Sequence, residues 1–332
     1  MTSPRTPVAN AGSIVSTAPE LSGAAWERLE AHGLRVVKTS MTISASELEQ
    51  VIAAADPVGI ISRGAQLSAA AIAAAPRLKV ISKYGVGYDN IAIAAATARG
   101  VPVYITRGAN SQSVAELAIG LMLGVARHIR EQDMELRQGQ WHRPNRGIEL
   151  SGRTLGIVGF GAVGSRVAAI ATALGMRIAV FDPYIDATLL PDGVECVDRL
   201  PLLLERTDIL SLHCPLTNAT RGMIGAAELA RLKRGAIVIN TARGGIVDEH
   251  ALSEALTSGF LTGAGIDTHS DEPPSKPTPL AQAPHVLLTA HCGASTRDAA
   301  ERLSLAVIDN LLRGLNGESL DSPNLVNPGV LG

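Results

Sequence analysis

Residues 154–182 read TLGIVGFGAVGSRVAAIATALGMRIAVFD, and their order decides the fold. TLGIVGF (154–160) is a short apolar run of the kind that forms a buried strand. RVAAIATAL (166–174) has helical spacing, and RIAVFD (177–182) is a second apolar run. Strand, helix and strand in so short a stretch make a βαβ unit with parallel strands. Gly159, Gly161 and Gly164 stand between the first strand and the helix, a G-x-G-x-x-G in the one context that gives it a mechanism. Such glycines allow a tight turn and bring backbone amides against a pyrophosphate at the helix's positive end. Ala162 and Val163 stand between the second and third of these glycines. Asp182 closes the second strand, where a carboxylate accepts hydrogen bonds from both adenosine ribose hydroxyls and repels a 2′-phosphate. Pro183-Tyr184 brings no arginine for such a phosphate, so the expected cofactor is NAD rather than NADP.

The same alternation extends in both directions. Downstream, strand candidates are VECV (194–197), DILSLH (208–213), AIVIN (236–240), GAGID (263–267) and HVLLT (285–289), with helices over 162–175 and 248–258. That is enough for a complete dinucleotide-binding domain. Upstream, SIVSTA (13–18), VGIIS (58–62), LKVISKY (78–84) and VPVYIT (101–106) predict about four strands, with helices over 21–32 and 67–75. SQSVAELAIGLMLGVARHIR (111–130) reads as one strong helix. Residues 131–153 read as a connector with a short helical start, in which Trp141 suits packing or a subunit interface. A last helix is expected over about 295–315. The fold class is α/β, with two Rossmann-like domains of doubly wound parallel sheet.

Composition excludes other classes. The 332 residues suggest two domains of ordinary size, and 46% hydrophobic residues suffice for large cores. A net charge of −2 and 3% aromatic residues argue against a dedicated nucleic-acid binder. The best apolar helix stretch, AIGLMLGVA (118–126), is too short to span a bilayer, so no membrane partner is expected. The N-terminus has no secretory pattern. Cys196, Cys214 and Cys292 are scattered, with no C-x-x-C pair, which suits reduced thiols and a cytoplasmic location. His32, His128, His142, His250 and His285 show no ligand spacing, so no metal is expected.

Three charged residues each follow a predicted strand: Arg243 after AIVIN, Glu272 after GAGID and His291 after HVLLT. Ligands of open α/β sheets bind at that strand edge. An arginine, a carboxylate and an imidazole there could bind a carboxylate and transfer a proton. The motifs KYGVGYDNI (83–91), RGANSQSVAE (107–116), GIVGFGAVG (156–164), SLHCPLTNATRGMI (211–224), INTARGGIVDE (239–249), GAGIDTHSDEPP (263–274) and LTAHCGAST (288–296) cover nearly the whole chain. Together they resemble the D-isomer-specific 2-hydroxyacid dehydrogenases, which include phosphoglycerate dehydrogenase and glyoxylate/hydroxypyruvate reductase.

The resemblance implies an NAD domain, 106–294, inserted into a discontinuous flavodoxin-like substrate domain, 1–105 plus 295–332. It implies hydride transfer between the nicotinamide and C2 of a 2-oxo or D-2-hydroxy acid. His291 would be the acid–base group, Glu272 would fix its tautomer, and Arg243 would bind the substrate carboxylate or carbonyl. The backbone amides of Tyr84, Gly85, Val86 and Gly87 would grip the carboxylate. Cys214 would lie on the adenosine side, while Thr241, Ala242 and Arg243 would line the nicotinamide side. Asp267 would approach the carboxamide, with Gly293 and His291 beside it. A homodimer through the NAD domain is implied, with 111–150 as its expected interface.

Some features depart from the family pattern. Ala290 precedes His291 where proline is common, and THSDEP follows Ile266-Asp267 in place of aliphatic and aromatic residues. His269 reads as a surface or pocket-wall residue, Cys292 as a non-nucleophile and His213 as strand-end packing. Arg63 and Arg143 could meet a distal phosphate or could be solvated. The chain runs out soon after its last helix, which leads to the expectation of a stand-alone reductase without a further regulatory domain. Two other readings keep the fingerprint: a non-catalytic NAD-sensing corepressor type, and a formate or phosphite dehydrogenase.

Overall fold

The computed structural model describes residues 12–18, 20–318 and 322–331. The chain divides into two units, Met1–Asn110 with Thr296–Gly332, and Ser111–Ser295.

The first unit contains the parallel strands β1 (Ser13–Ser16), β2 (Arg35–Lys38), β3 (Gly59–Ser62), β4 (Val80–Lys83) and β5 (Val103–Tyr104). Their order is β2-β1-β3-β4-β5, the flavodoxin-like winding. β1, β3 and β4 are buried along their whole length, as parallel strands covered on both faces must be. Helices α1 (Gly23–Ala31), α2 (Ala45–Ala55), α3 (Ala69–Ala73) and α4 (Ile93–Ala98) connect them. Alternate strand residues serve opposite faces: Ile14, Ile61 and Val80 pack with Leu29 of α1, while Val15, Ile60 and Ile81 pack with Leu48 and Ile52 of α2.

Five strands stand here where four were expected. The additional one, β2, is an edge strand with both ends exposed, and Arg35 and Lys38 flank only two valines. Without a second buried face it carries no apolar run to read. α2 also escaped notice, although Ser44 and Glu47 form a capping box at its start.

The second unit begins with α5 (Ser111–Ala126) and α6 (Ile129–Arg137). The expected single helix over 111–130 is therefore two. The break lies at His128, whose backbone turns left-handed at φ 51° and cannot continue a right-handed helix. Seven parallel strands follow: β6 (Thr154–Val158), β7 (Arg177–Phe181), β8 (Val194–Cys196), β9 (Ile209–Leu212), β10 (Ile237–Asn240), β11 (Gly263–Ile266) and β12 (Val286–Leu288). Helices α7 (Gly164–Ala173), α8 (Leu200–Arg206), α9 (Ala226–Leu229) and α10 (Glu249–Thr257) lie between them. The order is β12-β11-β10-β9-β6-β7-β8, a doubly wound sheet whose direction of winding reverses between β6 and β9. Leu155, Ile157, Ile237 and Ile239 pack under α5 and α7, and Val158, Leu210 and Val238 pack under α8 and α10. The last helix, α11 (Arg297–Leu315), is capped by Thr296 and lays Leu303, Val307 and Leu311 on the first unit's sheet.

The α/β class and both parallel sheets are as the sequence indicated. Among the described residues, no helix is long and apolar enough to cross a membrane.

Candidate active site

The winding of the second sheet places its functional loops on one rim. The glycine loop follows β6, Asp182 follows β7 and Cys214 follows β9. Arg243, Glu272 and His291 follow the adjacent strands β10, β11 and β12. Neighbouring strands lie about 4.8 Å apart, so the last three side chains arise within about 10 Å along that rim. In such sheets a crevice forms at the winding reversal, which here falls between β6 and β9.

The glycine loop fits a bound dinucleotide. Gly159 has φ 89°, and a methyl group there would stand 2.7 Å from the Cys214 amide nitrogen. At Gly164 a methyl group would run into the Gly159 carbonyl. Those two glycines close the turn. Gly161 differs, because a methyl group there meets nothing within 4 Å; its empty side is free for a ligand. α7 begins at Gly164 behind Val163, with no side chain capping its first amides. Those donors and the helix dipole suit an anion. Asp182 accepts hydrogen bonds from the Phe160 amide at 2.8 Å and the Tyr184 amide at 3.0 Å, which fixes its carboxylate beside the loop. Its remaining lone pairs suit ribose hydroxyls.

The two residues expected as the acid–base pair meet directly. His291 Nδ1 lies 2.6 Å from Glu272 Oε2. An ionised carboxylate only accepts, so the contact puts a proton on Nδ1. Nε2 has no partner among the described residues and is the atom left to exchange a proton. The His269 amide donates to Glu272 Oε1 at 2.7 Å. Burial pushes the Glu272 carboxyl up, but the hydrogen bonds from His291 and the His269 amide outweigh it and hold the carboxyl below its ordinary value. His291 is itself left-handed, at φ 48°, a conformation that costs a non-glycine residue about 1–3 kcal/mol.

Asp267 supplies what holds that backbone. It is 1% exposed, and its carboxylate accepts from the Thr289 hydroxyl at 2.6 Å, the Cys292 amide at 2.8 Å and the Gly293 amide at 2.9 Å. Its carbonyl accepts from the His291 amide at 2.7 Å. The sequence suggested a contact with the carboxamide; in the structure Asp267 is first the anchor of the His291 loop, with most of its acceptor capacity taken.

Sequence reasoning gave Asn240 no role, yet it staples the turn that carries Arg243. Its side chain accepts from the Ala242 amide at 3.1 Å and donates to the Arg243 carbonyl at 3.0 Å. A buried asparagine closing the apolar run AIVIN was the available signal. Arg243 is half-buried and donates to the Ala242 carbonyl at 2.7 Å. The buried Thr241 completes this turn.

In the first unit, the Tyr84 amide donates to the Ser62 carbonyl at 2.9 Å and the Gly85 amide to Thr106 Oγ1 at 2.8 Å. Two of the four expected amide donors are thus engaged. Those of Val86 and Gly87 have no partner among the described residues. Arg63 stacks on the Tyr84 ring at 4.9 Å, whereas Arg143 is exposed.

The remaining candidates are quiet. Burial, with Asp182 nearby, pushes the Cys214 thiol up to about 11, and burial and Asp267 also raise Cys292. Neither is a ready thiolate. Burial pushes His213 down to about 4, and its Nε2 lies 2.8 Å from Ser211 Oγ. Trp141 is 76% exposed and packs into no core.

A sheet of this winding, with an uncapped glycine loop at its centre, defines the dinucleotide-binding class. Comparison with known proteins narrows the class. Residues 119–293, more than half the chain, match the model of the D-isomer specific 2-hydroxyacid dehydrogenase NAD binding domain. A hydroxypyruvate reductase of Thermotoga maritima is 41% identical over 83% of this chain and 90% of its own length. A D-3-phosphoglycerate dehydrogenase of Methanocaldococcus jannaschii is 41% identical over 88% of this chain, which spans only 55% of that relative. The crystal structure of a glyoxylate reductase from Paecilomyes thermophila superposes with a TM-score of 0.85 at 31% identity, covering 95% of this chain and 98% of that one. The chain belongs to the D-isomer-specific 2-hydroxyacid dehydrogenase family, and its second unit carries the NAD-binding domain.

Proposed function

We propose that the chain interconverts a 2-oxo acid and a D-2-hydroxy acid, with NAD as the redox partner. The 2.6 Å contact between His291 and Glu272, on a loop anchored by buried Asp267, carries this reading. Family membership supports it.

Gly161, Ala162, Val163 and the first turn of α7 would hold the pyrophosphate, with Asp182 at the adenosine ribose and Cys214 beside it. Thr241, Ala242 and Gly293 would line the nicotinamide end. Bound NADH supplies a hydride to an electrophilic carbon. Arg243 binds the substrate carboxylate or carbonyl through its planar fork and offsets charge growing on oxygen. His291 delivers the Nε2 proton to the forming alkoxide, and Glu272 keeps Nδ1 protonated throughout and balances the imidazolium that precedes transfer. In oxidation Nε2 removes that proton. In the first unit, Val86 and Gly87 keep open amides of the kind that suit a carboxylate.

The names of the relatives favour glyoxylate, hydroxypyruvate or phosphoglycerate as the substrate. Arg63, stacked beside the Tyr84 loop, suits a second anionic group and keeps the phosphorylated acid among the candidates. A homodimer through the second unit is part of the same reading. Ile129, Met134, Leu136 and Trp141 leave 44–76% of their surface exposed along α6 and the connector, which is apolar area a second copy would cover.

The test is NADH absorbance with glyoxylate, hydroxypyruvate, pyruvate, bulkier 2-oxo acids and the phosphoglycerate pair, repeated with NADPH. Turnover of one class, lost in Arg243→Ala while NADH still binds, supports the proposal. NADH binding with no turnover of any would leave the NAD-sensing alternative.

A further inference from the structure

The second unit holds a side-chain cluster that shares no residue with the catalytic set just described. His128 sits at the left-handed turn between α5 and α6, Glu131 lies in the first turn of α6, and His285 immediately precedes β12. One ring nitrogen of each histidine and one Glu131 oxygen all lie within 4.8 Å of one another. The two imidazoles meet edge to face, with centroids 4.7 Å apart. From the geometry we infer that His128, Glu131 and His285 form a binding site for a divalent transition-metal ion of the zinc class.

Three observations carry the inference. The donor set is two imidazoles and one carboxylate, which suits zinc and its neighbours and is poor for magnesium or calcium. His285 Nδ1 and Glu131 Oε1 are 3.1 Å apart. A tetrahedral ion with bonds of about 2.0–2.1 Å needs its ligand atoms about 3.3 Å apart, so this pair needs little motion, while the widest pair, within 4.8 Å, closes by about 1.5 Å at most. His128 is 5% exposed, and its Nδ1 is buried without a hydrogen-bond partner among the described residues. A buried polar atom in that state is unfavourable, and a bound cation would satisfy it.

The nearby cations have other partners: Arg130 is directed to the Val286 carbonyl and Arg146 to the Glu135 carboxylate at 2.8 Å, although the Arg146 charge still reaches His128. An open surface depression of about 360 Å³, lined by Glu131, Glu135, Pro284 and His285 among others, adjoins Glu131 and His285. Both histidines are left-handed, at φ 51° and 54°. The ion would tie the α5–α6 turn to the entry of β12, the strand that leads to His291. The sequence hid the site because His285 lies 154 residues beyond Glu131.

The test uses the full chain, stripped with chelator and titrated with Zn²⁺ alone by calorimetry and with Co²⁺ alone by visible absorption. One Zn²⁺ equivalent, four-coordinate Co²⁺ bands and a rise in Tm are expected. His128→Asn and His285→Asn, which tolerate the left-handed backbone, and Glu131→Gln should each weaken Zn²⁺ binding about 10–100-fold and abolish the Tm rise. Glu131→Gln lies on a half-buried helical position, so it reports even if the buried His128 variant fails to fold. Zn²⁺ stoichiometry and affinity equal in native chain and Glu131→Gln, or only weak octahedral Co²⁺ absorption, would overturn the proposal.

Discussion

At the residue scale, the site depends on side chains that hold other side chains. Asp267 touches no expected substrate atom, yet three donors of the His291 loop end on its carboxylate. Asp267→Asn keeps the shape but turns an NH₂ toward at least one of those donors. We expect kcat to fall at least about 10-fold with the NADH Kd changed less than about threefold, measured by steady-state kinetics and fluorescence titration. Asp267→Ala leaves the donors unpaired in a buried place, at about 1–3 kcal/mol each, and should lower Tm as well. These roles were only partly readable. The expectation for Arg243, Glu272 and His291 rests on their chemistry and on their place after strands. Asn240 and Asp267 were quoted in the right motifs, but a hydrogen bond across a turn leaves no mark in sequence.

At the element scale, the glycine loop separates fold from ligand. Gly159→Ala forces a left-handed backbone and a 2.7 Å contact with the Cys214 amide, so it should cost about 1–3 kcal/mol and several degrees of Tm. Gly161→Ala has open space within 4 Å and should leave Tm unchanged while weakening NADH binding, as differential scanning and titration would show. The strand end at His213 gives a pH signature. Its folded-state pKa is depressed to about 4 by burial, so between about pH 6.5 and 4 the unfolded chain takes up a proton that the folded chain refuses. Stability therefore falls as pH drops through that window, by up to about 2–3 kcal/mol from this group. His213→Gln should flatten that slope in urea melts at pH 6.5 and 4.5. The central strands were readable because both faces are buried and their residues are apolar throughout. β2 and the break at His128 were not, because one is an exposed edge and the other is a backbone angle imposed by tertiary packing.

At the scale of the whole molecule, two parallel sheets of different winding divide the labour, one carrying the NAD-binding loops and the other the Tyr84–Gly87 turn. Helical and strand periodicity made the classes of both visible. Periodicity alone did not separate exposed apolar residues such as Leu136 and Trp141 from core, so an interface over 111–150 rests on the resemblance. A dimer through this face predicts that Leu136→Glu with Trp141→Arg shifts the sedimentation coefficient toward a monomer while NADH binding survives. An unchanged coefficient would move the interface elsewhere.

The sharpest test concerns the imidazole at the strand rim. His291→Asn preserves the left-handed backbone and removes the Nε2 proton carrier. On whichever 2-oxo acid the native chain reduces, kcat should fall about 10²–10⁴-fold with NADH affinity within threefold of native. Full turnover by His291→Asn would contradict the assignment of His291 as the acid–base group.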